Sequence, residues 1–313
     1  MLQVVPDYYK EFRCIAGRCR HSCCIGWEID VDADALAFYE GIPGAFGARL
    51  RAGLSREGTP HFILGEGERC PFLNRENLCD LILTLGEEHL CGICAEHPRF
   101  HNRLPGRVES GLGLCCEEAA RLILSRQTPM TLVAAGEDED EDPVIALRDE
   151  LLACLQDRSL PIDRRVDGML GLLGLPRPHG DMGRWADFLL GLEQLDEAWG
   201  ALLRRLKAGW QTADRAGFDA WMQNRQTEYE QFLVYLIYRH AANAVSGDDL
   251  AARVRLAAFG WQLLRALGAV LWTEQGRFDF EDQAELARLF SSELEYSEEN
   301  LDALLDELVP AGG

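Results

Sequence analysis

The chemistry open to this chain is set by cysteine. Ten of its eleven cysteines fall between Cys14 and Cys116, as Cys14-x4-Cys19-x3-Cys23-Cys24, Cys70-x8-Cys79, Cys91-x2-Cys94 and Cys115-Cys116, with Cys154 alone beyond them. Five of the seven histidines, His21, His61, His89, His97 and His101, share that stretch. Thiols crowded in this way and left bare would form an oxidisable surface. In a reducing compartment a disulfide framework is disfavoured, whereas a bound metal holds each sulfur deprotonated and occupied. The pattern therefore predicts metal ligation. The metal stays open between two choices. Cys91/Cys94 is the one clean zinc-type pair, while irregular spacings drawn from separate loops suit an iron–sulfur cluster. Cys14, Cys19 and Cys23 are spaced four then three apart rather than three then two, so radical chemistry is not inferred.

Other sources of chemistry are missing. The sequence has no Gly-rich dinucleotide or methyl-donor loop, no phosphate loop, no His-Glu-x-x-His and no Gly-x-Ser-x-Gly. Acids outnumber bases 52 to 31, for a net charge of −21. That balance opposes non-specific nucleic-acid binding and docking on an anionic membrane. The longest apolar run, residues 232–238, is far short of the ~20 residues that span a bilayer. The first residues show no basic segment followed by an apolar one. These features predict a soluble cytoplasmic protein with no nucleic-acid or membrane partner.

The elements that must position the cysteines read as a mainly α protein in two parts. Residues 1–135 form a loop-rich, Cys-rich module with short helices at 32–40 and 117–125. A small hairpin is expected around the polar turn that starts at Asn74, with Leu78 to Ile82 as its returning strand. Between Gly136 and Pro143 stand six consecutive acids, which repel one another and read as a linker over 136–143. Residues 144–313 read as an all-helical domain. Apolar residues recur at helical spacing over 144–155, 185–206, 218–242 and 250–271, and Trp185, Trp199, Tyr235, Trp261 and Trp272 are assigned to its core. Ser297 is placed to cap a last helix that Pro310 and the final glycines stop.

Four blocks of residues, in order, resemble the flagellin lysine N-methylase family. They are Cys14-x4-Cys19-x2-Ser22-Cys23-Cys24-x-Gly26-Trp27-x-Ile29-Asp30; Cys70-Pro71-Phe72-Leu73-Asn74 with Leu78-Cys79; Gly86-Glu87-Glu88-x-Leu90 with Cys94-x3-Pro98-Arg99; and Glu109-Ser110-x-Leu112-x-Leu114-x-Cys116-x-Glu118 running on to Arg121. His97 stands where tyrosine is usual, and Glu117 replaces a proline. Cys115 occupies a serine position, so Cys116 is the cysteine carried over. Residues 131–313 carry no part of the resemblance.

The resemblance implies methyl transfer from S-adenosylmethionine to lysine ε-amines of flagellin by a protein-lysine N-methyltransferase. It also implies an iron–sulfur cluster, 4Fe-4S in type, with zinc as the alternative. Its metal ligands would be Cys14, Cys19, Cys23, Cys24, Cys70, Cys79, Cys94 and Cys116. Glu109, Glu118 and Tyr8 are the candidate catalytic groups, with Tyr9 and Asp30 beside them. A metal carrier or electron-transfer protein without catalysis is the competing expectation.

Overall fold

The computed structural model describes residues 1–136 and 142–309. The acidic run expected as a linker therefore lies mostly outside the described residues, as do Pro310 and the terminal glycines. In chain order the elements are β1 (Leu2–Pro6), α1 (Ala33–Gly41), α2 (Gly44–Ala52), β2 (Leu54–Ser55), β3 (His61–Phe62), α3 (Asp80–Leu85), α4 (Gly92–Glu96), β4 (Arg99–Leu104), β5 (Arg107–Leu112), α5 (Glu117–Leu124) and β6 (Leu132–Ala135). Helices follow to the end: α6 (Pro143–Leu155), α7 (Ile162–Leu172), α8 (Met182–Leu190), α9 (Glu197–Gly209), α10 (Arg215–Met222), α11 (Gln226–His240), α12 (Gly247–Gln275), α13 (Phe280–Leu294) and α14 (Glu298–Leu308). The mainly helical reading holds, and the region after β6 is all helix.

Two compact units emerge, Arg13–Phe100 and Met1–Phe12 together with His101–Gly313. This division differs from one drawn at 136–143, because strand pairing is non-local. β1 pairs parallel with β5 and antiparallel with β6, in a four-stranded sheet of order β4-β5-β1-β6. The first residues and those up to β6 are thereby bound into the larger unit. No periodicity in the short strands announced this sheet.

In the larger unit α11 and α12 are buried along most of their length. α12, 29 residues long, is the one described helix apolar and long enough to cross a membrane, and 83% of that window is buried within the protein. Gly260 lets aromatics approach its backbone: a Cβ there would stand 3.0 Å from Phe232 and 3.1 Å from Phe290. Trp185, Trp199, Tyr235 and Trp261 are buried as expected; Trp272 is half-buried.

Two expected helices are each broken in two. α8 and α9 replace one helix over 185–206, because Asp196 caps α9 by accepting from Ala198 N at 2.9 Å. The Glu293 carboxylate, from far along the chain, accepts from Leu195 N and Asp196 N at 3.0 and 2.6 Å. α10 and α11 likewise replace one helix over 218–242, with a tight turn at Gln223–Arg225 between them. The last helix starts as expected, with Asn300 N donating to Ser297 Oγ at 3.3 Å.

The smaller unit packs α1, α2 and the β2–β3 pair around Tyr39, Leu50, Phe62 and Phe72. The expected hairpin shrinks to one bridge, Leu73 with Cys79, and its returning strand is the helix α3. Asn74 decides this. Its Oδ1 accepts from Glu76 N and Leu78 N at 3.0 and 2.9 Å, while its Nδ2 donates to Asp80 Oδ1 at 3.0 Å. A turn wound this tightly around one side chain delivers the chain into a helix rather than a second strand.

Candidate functional site

The smaller unit gathers five thiols on one core. Cys70 and Cys91 are buried in it, and Cys24, Cys79 and Cys94 pack against it. Short-range structure places each of them. Cys70 N donates to Cys24 O at 2.8 Å, with Ile25 and Arg69 bridged alongside. Cys79 precedes α3 and Cys91 precedes α4, which carries Cys94. Asp32 then ties α1 to this loop. One oxygen accepts from Ala35 N at 2.9 Å, capping α1, and the other accepts from Gly92 N at 2.8 Å. These amide bonds hold its carboxyl below the usual range. Tyr39 Oη adds a bond to His89 O at 2.8 Å.

The five thiols differ in acidity. A hydrogen bond with Cys23 brings Cys24 down to about 7. A hydrogen bond with Cys94 lowers Cys91, and the same bond, together with burial, raises Cys94. Burial pushes Cys70 up to about 12 and raises Cys79. Hydrogen bonding thus lowers two of the thiols, while burial works to raise the other three. A cation is what would allow the whole set to become thiolate. The donor set fits a soft metal in kind. It is not a ready-made chelate, since no three Cys, His, Asp or Glu side chains among the described residues are arranged to hold a metal ion.

Of the eight cysteines expected as ligands, the fold brings together Cys24, Cys70, Cys79 and Cys94. Cys91, outside that set, joins them; its clean two-residue spacing from Cys94 was the available signal. Cys14 and Cys19 engage their own turns, Cys14 Sγ accepting from Ala16 N at 3.3 Å and Cys19 Sγ donating to His21 O at 3.2 Å. Cys23 is exposed beside Cys24. Cys116 belongs to the larger unit, where it precedes α5. Among the histidines, His89 stacks on Phe38 at 4.3 Å, and His101 Nδ1 lies 2.7 Å from Ser110 Oγ.

His97 lies 6.3 Å from the Trp27 ring. Burial, helped by Arg99, depresses it from 6.5 to about 4. The unfolded chain therefore takes up a proton near pH 6.5 that the folded chain refuses until about pH 4. Stability from this group is complete above pH 6.5 and is lost as pH falls towards 4, by at most about 3 kcal/mol, less solvent screening. Denaturation midpoints followed from pH 7 to 4 should show this slope, and His97→Gln should flatten it.

Of the candidate catalytic groups, Glu109, Glu118, Tyr8 and Tyr9 lie in the larger unit and Asp30 in the smaller one. Glu109, on β5, is sealed from solvent with both oxygens engaged: Arg107 Nε donates at 2.7 Å and Arg148 Nη1 at 2.5 Å. Tyr8 is buried with the Arg126 guanidinium 5.4 Å from its ring centre, and burial raises its phenol. Glu118 is half-buried in the first turn of α5.

A polar cluster that sequence reasoning missed is centred on Glu295, in the same unit. Tyr235 Oη donates to its carboxylate at 3.0 Å, His240 Nε2 lies 2.6 Å away and Arg239 Nε 3.3 Å away. Burial works to raise Glu295, yet Arg239 and His240 together hold it below its ordinary value. Burial keeps His240 low. Split between α11 and the turn after α13, these residues carry no spacing that a motif could express.

Comparison with known proteins completes the description. Residues 181–310 match the family described as the FliB lysine N-methylase C-terminal domain. The chain is 28% identical over 141 residues to the lysine-N-methylases of Salmonella choleraesuis (strain SC-B67) and Salmonella typhimurium (strain LT2), covering 41% of this chain and 33% of each relative. It is also 28% identical over 137 residues to the flagellar biosynthetic protein FliU of Salmonella muenchen, covering 41% of this chain and 79% of that protein. The matched stretch thus spans a third of the length of the lysine-N-methylases. No solved structure matches the chain.

Proposed function

Because residues 181–310 carry the C-terminal domain of the FliB lysine N-methylases, we propose that the chain acts in S-adenosylmethionine-dependent N-methylation of lysine side chains on flagellin. The match of that domain carries the reading. The flagellar name of a relative supports a flagellar substrate. The shared 28% identity with two proteins named lysine-N-methylase supports the reaction. The centre held by Cys24, Cys70, Cys79, Cys91 and Cys94 is proposed to be an iron–sulfur cluster, with zinc as the alternative. When bound, it would supply positive charge that keeps these thiols ionised and ties their loops into one fold.

Methyl transfer to nitrogen places demands on the chain's own residues. The attacking amine must be neutral, although free lysine has a pKa near ~10.4. A site must therefore desolvate the ammonium or offer a route for its proton, and must hold amine and sulfonium in line. Glu109 is an unsuitable acceptor, since both of its oxygens are committed to arginines. Tyr8 is sealed and kept protonated. Glu118 keeps some exposure and is the acid assigned to this step. The acidic surface favours a partner that presents lysines.

The deciding experiment incubates the purified chain with methyl-labelled S-adenosylmethionine and flagellin, alongside metal analysis of the same sample. Label on flagellin lysines is expected, with iron or zinc bound. An intact metal centre with no label on lysine would remove the reading.

A further inference from the structure

We propose that the groove along the Asn74 turn of the smaller unit binds a phosphate group, free or carried by a small phosphorylated molecule. The groove is open, with a volume of about 720 Å³, which is room for a small-molecule ligand. Arg49, Arg69 and Arg75 line it, with Glu76 and Asp80 as its acids. Three arginines side by side stand out in a chain of net charge −21. A fourth lies close by. A Cβ on Gly17 would stand 2.8 Å from Glu76 O, so the loop that runs on into Arg18 rests against this turn.

The donors left open decide what the groove can hold. Arg49 is committed: its Nη1 donates to Asp80 and its Nη2 to Pro71 O, each at 2.6 Å. Asn74 Nδ2 takes the other Asp80 oxygen at 3.0 Å. Asp80 is thereby neutralised and no longer repels an anion. Arg69 is fixed without being used up. Its Nη2 donates to Asn74 O at 3.1 Å and Asn77 Oδ1 at 3.0 Å, while its Nε and Nη1 bond nothing among the described residues. The Asn74 side chain makes the turn rigid by accepting from Glu76 N and Leu78 N, so the Arg69 fork is pre-organised. Arg75 is exposed and has no partner among the described residues. Two guanidinium forks with open donors match the several oxygens of a phosphate, each fork taking two. A carboxylate, with two oxygens, fills one fork and leaves the other bare.

Titration calorimetry of the full chain with inorganic phosphate, at constant ionic strength, tests the assignment. The parent chain should bind phosphate saturably, and acetate at least about tenfold more weakly. Arg75→Gln should weaken phosphate about tenfold, the scale of one lost hydrogen bond to a charged group. Its melting temperature should not move, because Arg75 bonds nothing in the protein. Arg75→Lys keeps the charge but loses the fork, so its affinity should fall between those of the parent and Arg75→Gln. Arg277→Gln, at an exposed arginine of the larger unit, should bind as the parent does. Ribose 5-phosphate separates the two sources. Tighter binding than phosphate assigns a phosphorylated molecule, and equal binding assigns the phosphate group itself. The proposal is overturned if the parent chain binds neither probe, or if Arg75→Gln binds phosphate as tightly as Arg277→Gln.

Discussion

Glu109→Gln is expected to destabilise the larger unit by about 3–5 kcal/mol, the usual cost of breaking a buried ion pair from one side. Glu109 and Arg148 are both 0% exposed, and the Arg148 guanidinium lies 2.5 Å from the carboxylate. With the carboxylate gone, Arg148 keeps only Asp149, which is 54% exposed, and its position 5.6 Å from the Tyr238 ring centre. Arg107, 13% exposed, loses its partner as well. Urea denaturation reads the loss directly. The double variant Glu109→Gln/Arg148→Met should recover about half of it, since an uncharged pair leaves no orphaned cation. A catalytic Glu109 would behave oppositely, abolishing methyl transfer without moving the midpoint. An unchanged midpoint would therefore return Glu109 to the list of reacting groups.

Cys70→Ser is expected to reduce bound metal to about a tenth of the parent level or less, since losing one ligand weakens the affinity of the whole site. Cys70 is buried, and its amide also joins the segment carrying Cys24. Serine is close in size but is a poor ligand for soft metals. Residues 13–100 should then become the first site of proteolysis, because the apolar core around Phe62 and Phe72 is small and the metal would supply much of the unit's stability. Cys154→Ser, in the larger unit, controls for general thiol loss and should change neither metal content nor protease resistance. Equal metal content in the two variants would show that Cys70 is no ligand.

Much of the helical framework was legible in the sequence because helices are decided locally. The apolar spacing that begins at Val144 and at Leu250 marks helices that exist, and Asp32 and Ser297 cap helices where a side-chain oxygen meets a free amide three residues on. The breaks within 185–206 and 218–242 were not legible. The apolar stripe runs on across them, and one break is held by Glu293, far along the chain. Spacing also singled out the thiols. It did not say that Cys91 would join Cys24, Cys70, Cys79 and Cys94, or that Cys116 would fall in another unit.

By itself, then, the amino-acid order settled the helical class, the capped start of the last helix and the sulfur-rich character of the first part. Only the tertiary structure decided that β1 would lie between β5 and β6, that Glu109 would be sealed between two arginines, and that Glu295 would gather Tyr235, Arg239 and His240. The reason is the range of the forces. Periodicity and capping act within a few residues, whereas a buried charge or an unpaired strand must find its partner wherever the folded chain brings one.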